Sequence, residues 1–169
     1  MLHTLHNLEK LNVRRCGSVK EVVQLEELVD EESHAIALAK LREVQLHDLP
    51  ELTHLCKETL NEALVFKILK LLNLVNLLPP STAKSLVQLK NLKVGGSDMI
   101  KEVVSGGGGE ATEEIAFCKL EHIALVCLAN LTSFCLGGYT FSFPSLDHLV
   151  VEECPKMKFS LKASQPHQG

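Results

Sequence analysis

SLVQLKNLKVGGSDMIKEVV, residues 85–104, places its apolar side chains at Leu86, Leu89, Leu92, Val94, Ile100 and Val103. The spacing runs in threes, tightens to one Leu-x-Val alternation, then returns to threes. An amphipathic helix would repeat at i, i+3, i+4 and i+7, and a plain strand would alternate throughout. The alternating part, Leu92-Lys93-Val94, predicts a very short strand. Its flanks predict turns or 3₁₀-like coil that keep returning to one interior. Such a unit has a single apolar edge and cannot bury it alone, so copies must stack beside it.

The copies are present. The first repeat carries apolar slots at Leu5, Leu8, Leu11, Val13, Cys16, Val19 and Val22, and the second at Leu38, Leu41, Val44, Leu46, Leu49, Leu52 and Leu55. The third runs Ala63, Phe66, Leu69, Leu71, Leu74, Leu77, Pro80, and the fourth is the opening stretch with Ser97 among its slots. Phe117, Leu120, Ile123, Leu125, Leu128, Leu131 and Phe134 form the fifth; Phe143, Leu146, Leu149, Val151, Cys154, Met157 and Ser160 form the sixth. Of these 42 positions only Pro80, Ser97 and Ser160 are not apolar. Random placement at this composition would fill about 19, so the period is real.

Leu8-x-x-Leu11-x-Val13-x-x-Cys16 and Leu146-x-x-Leu149-x-Val151-x-x-Cys154 carry the L-x-x-L-x-L-x-x-C/N signature in full. With the wording of residues 85–104 and FPSLDHLVVEECPKMKFS at 143–160, the chain resembles the repeat region of plant intracellular nucleotide-binding leucine-rich-repeat receptors, the coiled-coil class of disease resistance proteins. The resemblance implies an α/β leucine-rich-repeat solenoid: short parallel strands on a curved, concave face, with an irregular, 3₁₀ or short helical convex side. About six irregular repeats would occupy residues 1–162, with 163–169 a disordered tail. One departure stands out. The Cys/Asn slot holds Leu49, Leu74, Ser97 and Leu128 in the middle repeats, so no continuous ladder of side-chain hydrogen bonds is expected there.

At 169 residues the chain can bury one sizeable core. Its 17 Lys and Arg against 21 Asp and Glu leave a net charge of −4, which offers no general attraction to nucleic acid or an anionic membrane. The most apolar window, residues 64–78, is interrupted by Lys67, Lys70, Asn73 and Asn76 and is not a membrane span. MLHTLHNLEK at the start lacks the basic and apolar regions of a secretory signal, so a cytoplasmic location is expected.

Along the chain, residues 20–37 carry Glu21, Glu26, Glu27, Asp30, Glu31 and Glu32 and are expected to form a solvated acidic insertion. Pro50 is expected to end the second strand. Leu78-Pro79-Pro80-Ser81 leads into a helical turn for which Ser81 is the expected N-cap. The run Ser105-Gly106-Gly107-Gly108-Gly109-Glu110 is expected to be mobile and outside the core. It lacks the Gly-Lys-Ser/Thr of a phosphate loop. No polar cap precedes Leu5, which suggests a fragment of a longer chain.

Chemistry is sparse. The six cysteines have no regular spacing and are expected to be small buried apolar residues, structural thiols, with Cys16 and Cys154 in interior slots. A zinc site from Cys118, His122, Cys127 and Cys135 is disfavoured, because His122 faces out while Cys127 and Cys135 belong to the arc. No catalytic signature is present, and neither a cofactor nor a metal is expected. Asn130-Leu131-Thr132 matches a glycosylation sequon, but Leu131 fills an interior slot.

Strand residues alternate, so those between the slots face solvent. The expected protein-binding face is Lys10, Asn12, Arg14, Glu43, Gln45, His47, Lys70, Asn91, Lys93, His122, Ala124, Val126, His148, Val150 and Glu152, with Ile68, Leu72 and Gly95 in the same rows. It changes from polar and partly basic to apolar with histidines, and solvent-facing apolar residues hint at a partner. The expected function is a non-enzymatic interaction module. The resemblance implies recognition of a pathogen effector or modified host protein and inhibition of the receptor's own nucleotide-binding module. The alternatives are a substrate adaptor for protein degradation, a metal or redox protein, and a degenerate gene fragment.

Overall fold

The computed structural model describes residues 7–23, 40–56, 66–75, 78–106 and 113–158. Most of the acidic insertion, the end of the glycine run, the tail, and slots such as Leu5, Leu38 and Leu77 lie outside the described residues. Six five-residue strands, β1 (Lys10–Arg14), β3 (Glu43–His47), β5 (Ile68–Leu72), β6 (Asn91–Gly95), β8 (His122–Val126) and β10 (His148–Glu152), form one sheet in that order. Every pairing is parallel. Leu11, Val44, Leu69, Leu92, Ile123 and Leu149 stand opposite one another as successive rungs, and Val13, Leu46, Leu71, Val94, Leu125 and Val151 form a second line. Among the described residues, the mostly parallel sheet with one short helix fits a leucine-rich-repeat-like α/β fold.

The three-residue steps of the sequence are hydrogen-bonded turns. After the strand, the N–H of Val19, Leu52, Leu131 and Met157 donates to the carbonyl of Cys16, Leu49, Leu128 and Cys154. Before the strand, Leu89, Leu120 and Leu146 donate in the same way to Leu86, Phe117 and Phe143. Each turn brings the next apolar residue back to the interior. At each strand start one carbonyl (Glu9, Arg42, Lys67, Lys90 or Glu121) accepts two N–H groups from the next repeat.

Each of these six strands is followed by a left-handed residue. Arg15, Asp48, Asn73, Cys127 and Glu153 have φ of 52° or 53°, and Gly96 has 67°. Only Gly, Asn and Asp adopt this region readily. Of the other three, Arg15 and Cys127 are held there because the turning residue still serves the sheet: the N–H of Arg15 donates to the His47 carbonyl, and that of Cys127 to the Glu152 carbonyl.

Short elements complete the fold. β2 (Glu21–Val23) pairs with β4 (His54–Cys56), and β7 (Glu113–Ala116) with β9 (Tyr139–Ser142), both in parallel. Glu21 thus begins a strand rather than an acidic loop. Helix α1 (Pro80–Ser85) starts on Pro79, which has no side-chain cap. Ser81 is therefore not the N-cap. Pro80 presets the first helical φ and has no N–H to satisfy, so the helix begins two residues earlier than expected. Gly106 also departs from expectation: it is buried, and a Cβ there would lie 2.6 Å from the Gly137 carbonyl oxygen. Pro50 sits within the Leu49–Leu52 turn, after the strand has already ended at His47.

A continuous core fills the interior, from Leu41 to Leu131. Phe117 is 2% exposed, and Phe134, Phe141 and Phe143 surround it with ring centroids 5.6–6.3 Å away. Slots at the two ends are less covered: Leu11 and Val13 are half-buried, and Leu149 is 48% exposed.

The Cys/Asn slot behaves as its side chains dictate. Ser97 is buried, and its hydroxyl donates to the Leu74 carbonyl at 2.6 Å while accepting the Met99 N–H. The Cys154 thiol points at the Leu125 carbonyl at 3.4 Å. Leu49, Leu74 and Leu128 have no donor to offer. Ser97→Ala, which strands a buried carbonyl, is expected to cost about 1–2 kcal/mol in a urea titration.

Candidate protein-binding face

The odd positions of each strand bring the outward residues into three rows. Lys10, Glu43, Ile68, Asn91, His122 and His148 form the first; Asn12, Gln45, Lys70, Lys93, Ala124 and Val150 the second; Arg14, His47, Leu72, Gly95, Val126 and Glu152 the third. All the residues expected on this face from the sequence lie in these rows. Their chemistry divides the face into two parts.

The β1–β5 part is a polar network centred on Glu43. Its carboxylate lies 2.9 Å from Lys70 Nζ and 3.4 Å from Lys10 Nζ, and accepts from the Gln45 amide. Gln45 in turn accepts from Asn12, and Asn12 from Arg14 Nε at 2.9 Å. The hydrogen bonds from Gln45 and Lys70, reinforced by the charge of Lys70, hold the Glu43 carboxyl down to about 2. Because the folded pKa is depressed, this network stabilises the chain fully above the usual carboxylate range. The contribution fades as pH falls from there toward about 2. Glu43→Gln is expected to flatten that part of the acid-unfolding curve followed by circular dichroism.

The β6–β10 part offers fewer charges. Gly95 has no side chain, and a Cβ there would meet the Val126 carbonyl oxygen at 2.8 Å and Leu72 Cδ2 at 3.6 Å. The Val126 carbonyl and the Leu72 side chain thus close over Gly95, which is buried, and Leu72 and Val126 flank it in the same row. Ala124 and Val126 are half-buried, and Val150 is 41% exposed. Beside them the His122 and His148 rings stack with centroids 4.6 Å apart and planes 13° from parallel. Asp147 Oδ1 lies 2.8 Å from His148 Nδ1, and that hydrogen bond holds the Asp147 carboxyl below its usual range.

The structure adds surfaces that the repeat pattern left unread. Val75, Met99 and Leu136 are exposed and line a shallow groove with Lys101 and Glu102, where Glu102 accepts the N–H groups of Gly106 and Leu136. They occupy the turns, where spacing carries no orientation signal. Cys118 and Cys127 are exposed rather than buried. The Cys127 thiol donates to Glu153, which pushes its pKa up and away from the thiolate that redox chemistry requires. Among the described residues, the group of metal-ligating atoms within 4.8 Å of one another is His122, Asp147 and His148, with no cysteine. Asn130 is engaged, donating to Asp98 and accepting from Lys156, while Leu131 is fully buried. No helix among the described residues is long and apolar enough to cross a membrane.

Comparison with known proteins agrees with this architecture. No solved structure matches the chain. The "Probable disease resistance protein At1g51480" of Arabidopsis thaliana is 34% identical over 96 residues, 54% of this chain and 11% of that protein. The chain thus spans about a tenth of the length of this relative. The leucine-rich repeats of such proteins generally serve protein interaction in plant immunity rather than catalysis. Residues 1–98, more than half the chain, match the family described as plant disease resistance protein RPS2-like leucine-rich repeats, and the chain belongs to that family.

Proposed function

We propose that this chain is a non-enzymatic recognition module of plant innate immunity, acting in the cytoplasm. It is a curved solenoid whose repeats span residues 1–162, with the six-stranded sheet on the concave face. That face contacts a pathogen effector or a modified host protein and, within a longer receptor, docks on the receptor's own nucleotide-binding module.

The observation that supports this reading most is the division of the outward rows. In the β1–β5 part the charged side chains satisfy one another around Glu43, whereas Leu72, Ala124 and Val126 face outward half-buried and Val150 exposed. Interfaces draw most of their affinity from a few apolar or aromatic anchors inside a polar rim. The outward Leu72, Ala124, Val126 and Val150 supply the anchors and the Glu43 network supplies the rim.

Val126→Glu tests it. The substitution places a charge at an outward position, so the melting temperature is expected to stay within a few degrees of the parent. Affinity for a partner co-purified from plant tissue and confirmed with purified components is expected to fall at least about tenfold, as loss of an interface anchor predicts. Hydrogen exchange on the complex should show protection along β6, β8 and β10. Undiminished binding, or protection confined to the groove around Met99, would assign recognition to another surface.

A further inference from the structure

We propose that His122, Asp147 and His148 form a surface site for a first-row transition-metal dication such as zinc, nickel or copper, held by two imidazoles and one carboxylate with positions left open for a further ligand. The site rests on its own geometry and stands whether or not the face recognises a protein.

The sheet register builds the pair. His122 and His148 begin neighbouring parallel strands and are direct partners, so their side chains leave the sheet on the same side. Such partners are one interstrand spacing apart, roughly 4.8 Å. A metal with ligand bonds near 2.1 Å needs donors about 3.3 Å from one another in tetrahedral geometry. Asp147 Oδ1 is 2.8 Å from His148 Nδ1 and 3.9 Å from His122 Nε2, and all three donors fit within 4.8 Å. Small rotations of the two rings about their broad terminal torsions would converge them on one ion. All three residues are exposed, so among the described residues their side chains are free to make these rotations.

The backbone under the site is fixed. The Asp147 and His148 N–H groups both donate to the Glu121 carbonyl, at 3.0 Å each, which ties the turn before β10 to the residue preceding His122. Asp147 therefore cannot drift away from the histidine pair. The donor set also selects the class of ion. Neutral imidazoles favour zinc, copper and nickel over magnesium and calcium, which prefer all-oxygen shells. Without metal, the carboxylate takes the hydrogen bond from His148. On binding, the neutral ring takes its other tautomer: the proton leaves Nδ1 for solvent while Nε2 takes one up, and Nδ1 gives its lone pair to the ion. The sequence gives no metal-ligand motif here because His122 and His148 lie in different repeats and Asp147 fills no slot. Only the register unites them.

The test is calorimetric titration of the chelator-stripped 169-residue chain with zinc or nickel. One ion per chain is expected. His122→Ala and His148→Ala are each expected to weaken it by more than the roughly tenfold that even an outer-shell partner is worth. Asp147→Asn is expected to weaken binding less, and all three exposed substitutions should leave the circular dichroism spectrum unchanged. Cobalt(II) supplies an independent reading: its spectrum should lack the intense thiolate charge-transfer band. Absence of saturable one-to-one binding would overturn the site. So would unchanged affinity in the His122→Ala, His148→Ala double variant, or a strong thiolate band placing the ion on cysteine.

Discussion

Leu92→Asp is expected to abolish the cooperative unfolding transition of this chain. Leu92 is 2% exposed and forms the fourth rung between Leu69 and Ile123, with the core on its inner side. An aspartate there must either bury an unpaired carboxylate or take up a proton, and either costs several kcal/mol on top of the lost leucine packing. Domains of this size are stable by about 5–15 kcal/mol in total, so one such substitution can consume most of the margin. Lys93→Asp, one residue along and exposed, is the matched control and should melt within a few degrees of the parent. If Leu92→Asp and the parent melt together, the inward assignment of the rung is wrong.

Phe117→Ala is expected to be the costliest large-to-small change, at about 3–5 kcal/mol by urea denaturation. The Phe117 ring stacks on Phe143 and Phe141 and meets the edge of Phe134, so its removal leaves a cavity lined by three other aromatics. Because these rings touch one another as well, the losses should not add. The double variant with Phe143→Ala is expected to fall short of the two single costs by about 0.5 kcal/mol or more, the coupling typical of neighbours in contact. A cost under about 1 kcal/mol for Phe117→Ala would mean that the cluster does not hold the last two repeats together.

The strand register was legible in the sequence because burial enforces it. A strand shifted by one residue would turn its leucines to solvent and its lysines to the core, so Leu92-Lys93-Val94 and its counterparts admit one alignment. The three-residue steps were legible for a related reason, since each is a turn that must return an apolar side chain to the same interior. The left-handed residue at each strand end was not. Arg15, Cys127 and Glu153 carry no preference for that conformation, and for Arg15 and Cys127 the hydrogen bonds to the next strand impose it. Helix α1 was anticipated but misplaced by its cap, because Pro79-Pro80 starts a helix without needing one.

For the face, sequence reasoning identified which residues point outward but not which of them satisfy one another. Glu43 sits in one repeat, and its partners Lys10 and Lys70 sit in the repeats on either side. Side chains that long choose among several neighbours, and spacing alone does not say which. The histidine pair could be placed in one row from the repeat alignment. The carboxylate beside it could not, because Asp147 lies in the turn before the strand. The end rows also depart from the ideal pattern: Leu149 occupies an interior slot but lies in the last strand of the sheet, with β8 on one side only.

The account depends on six repeats stacking their strands in one parallel register. Backbone proton contacts measured by nuclear magnetic resonance on a deuterated, amide-protonated sample test this most directly. The expected contacts link the strands pair by pair along Leu11, Val44, Leu69, Leu92, Ile123 and Leu149. Contacts displaced by one residue, or of the antiparallel kind, at any of the inner pairings would contradict it.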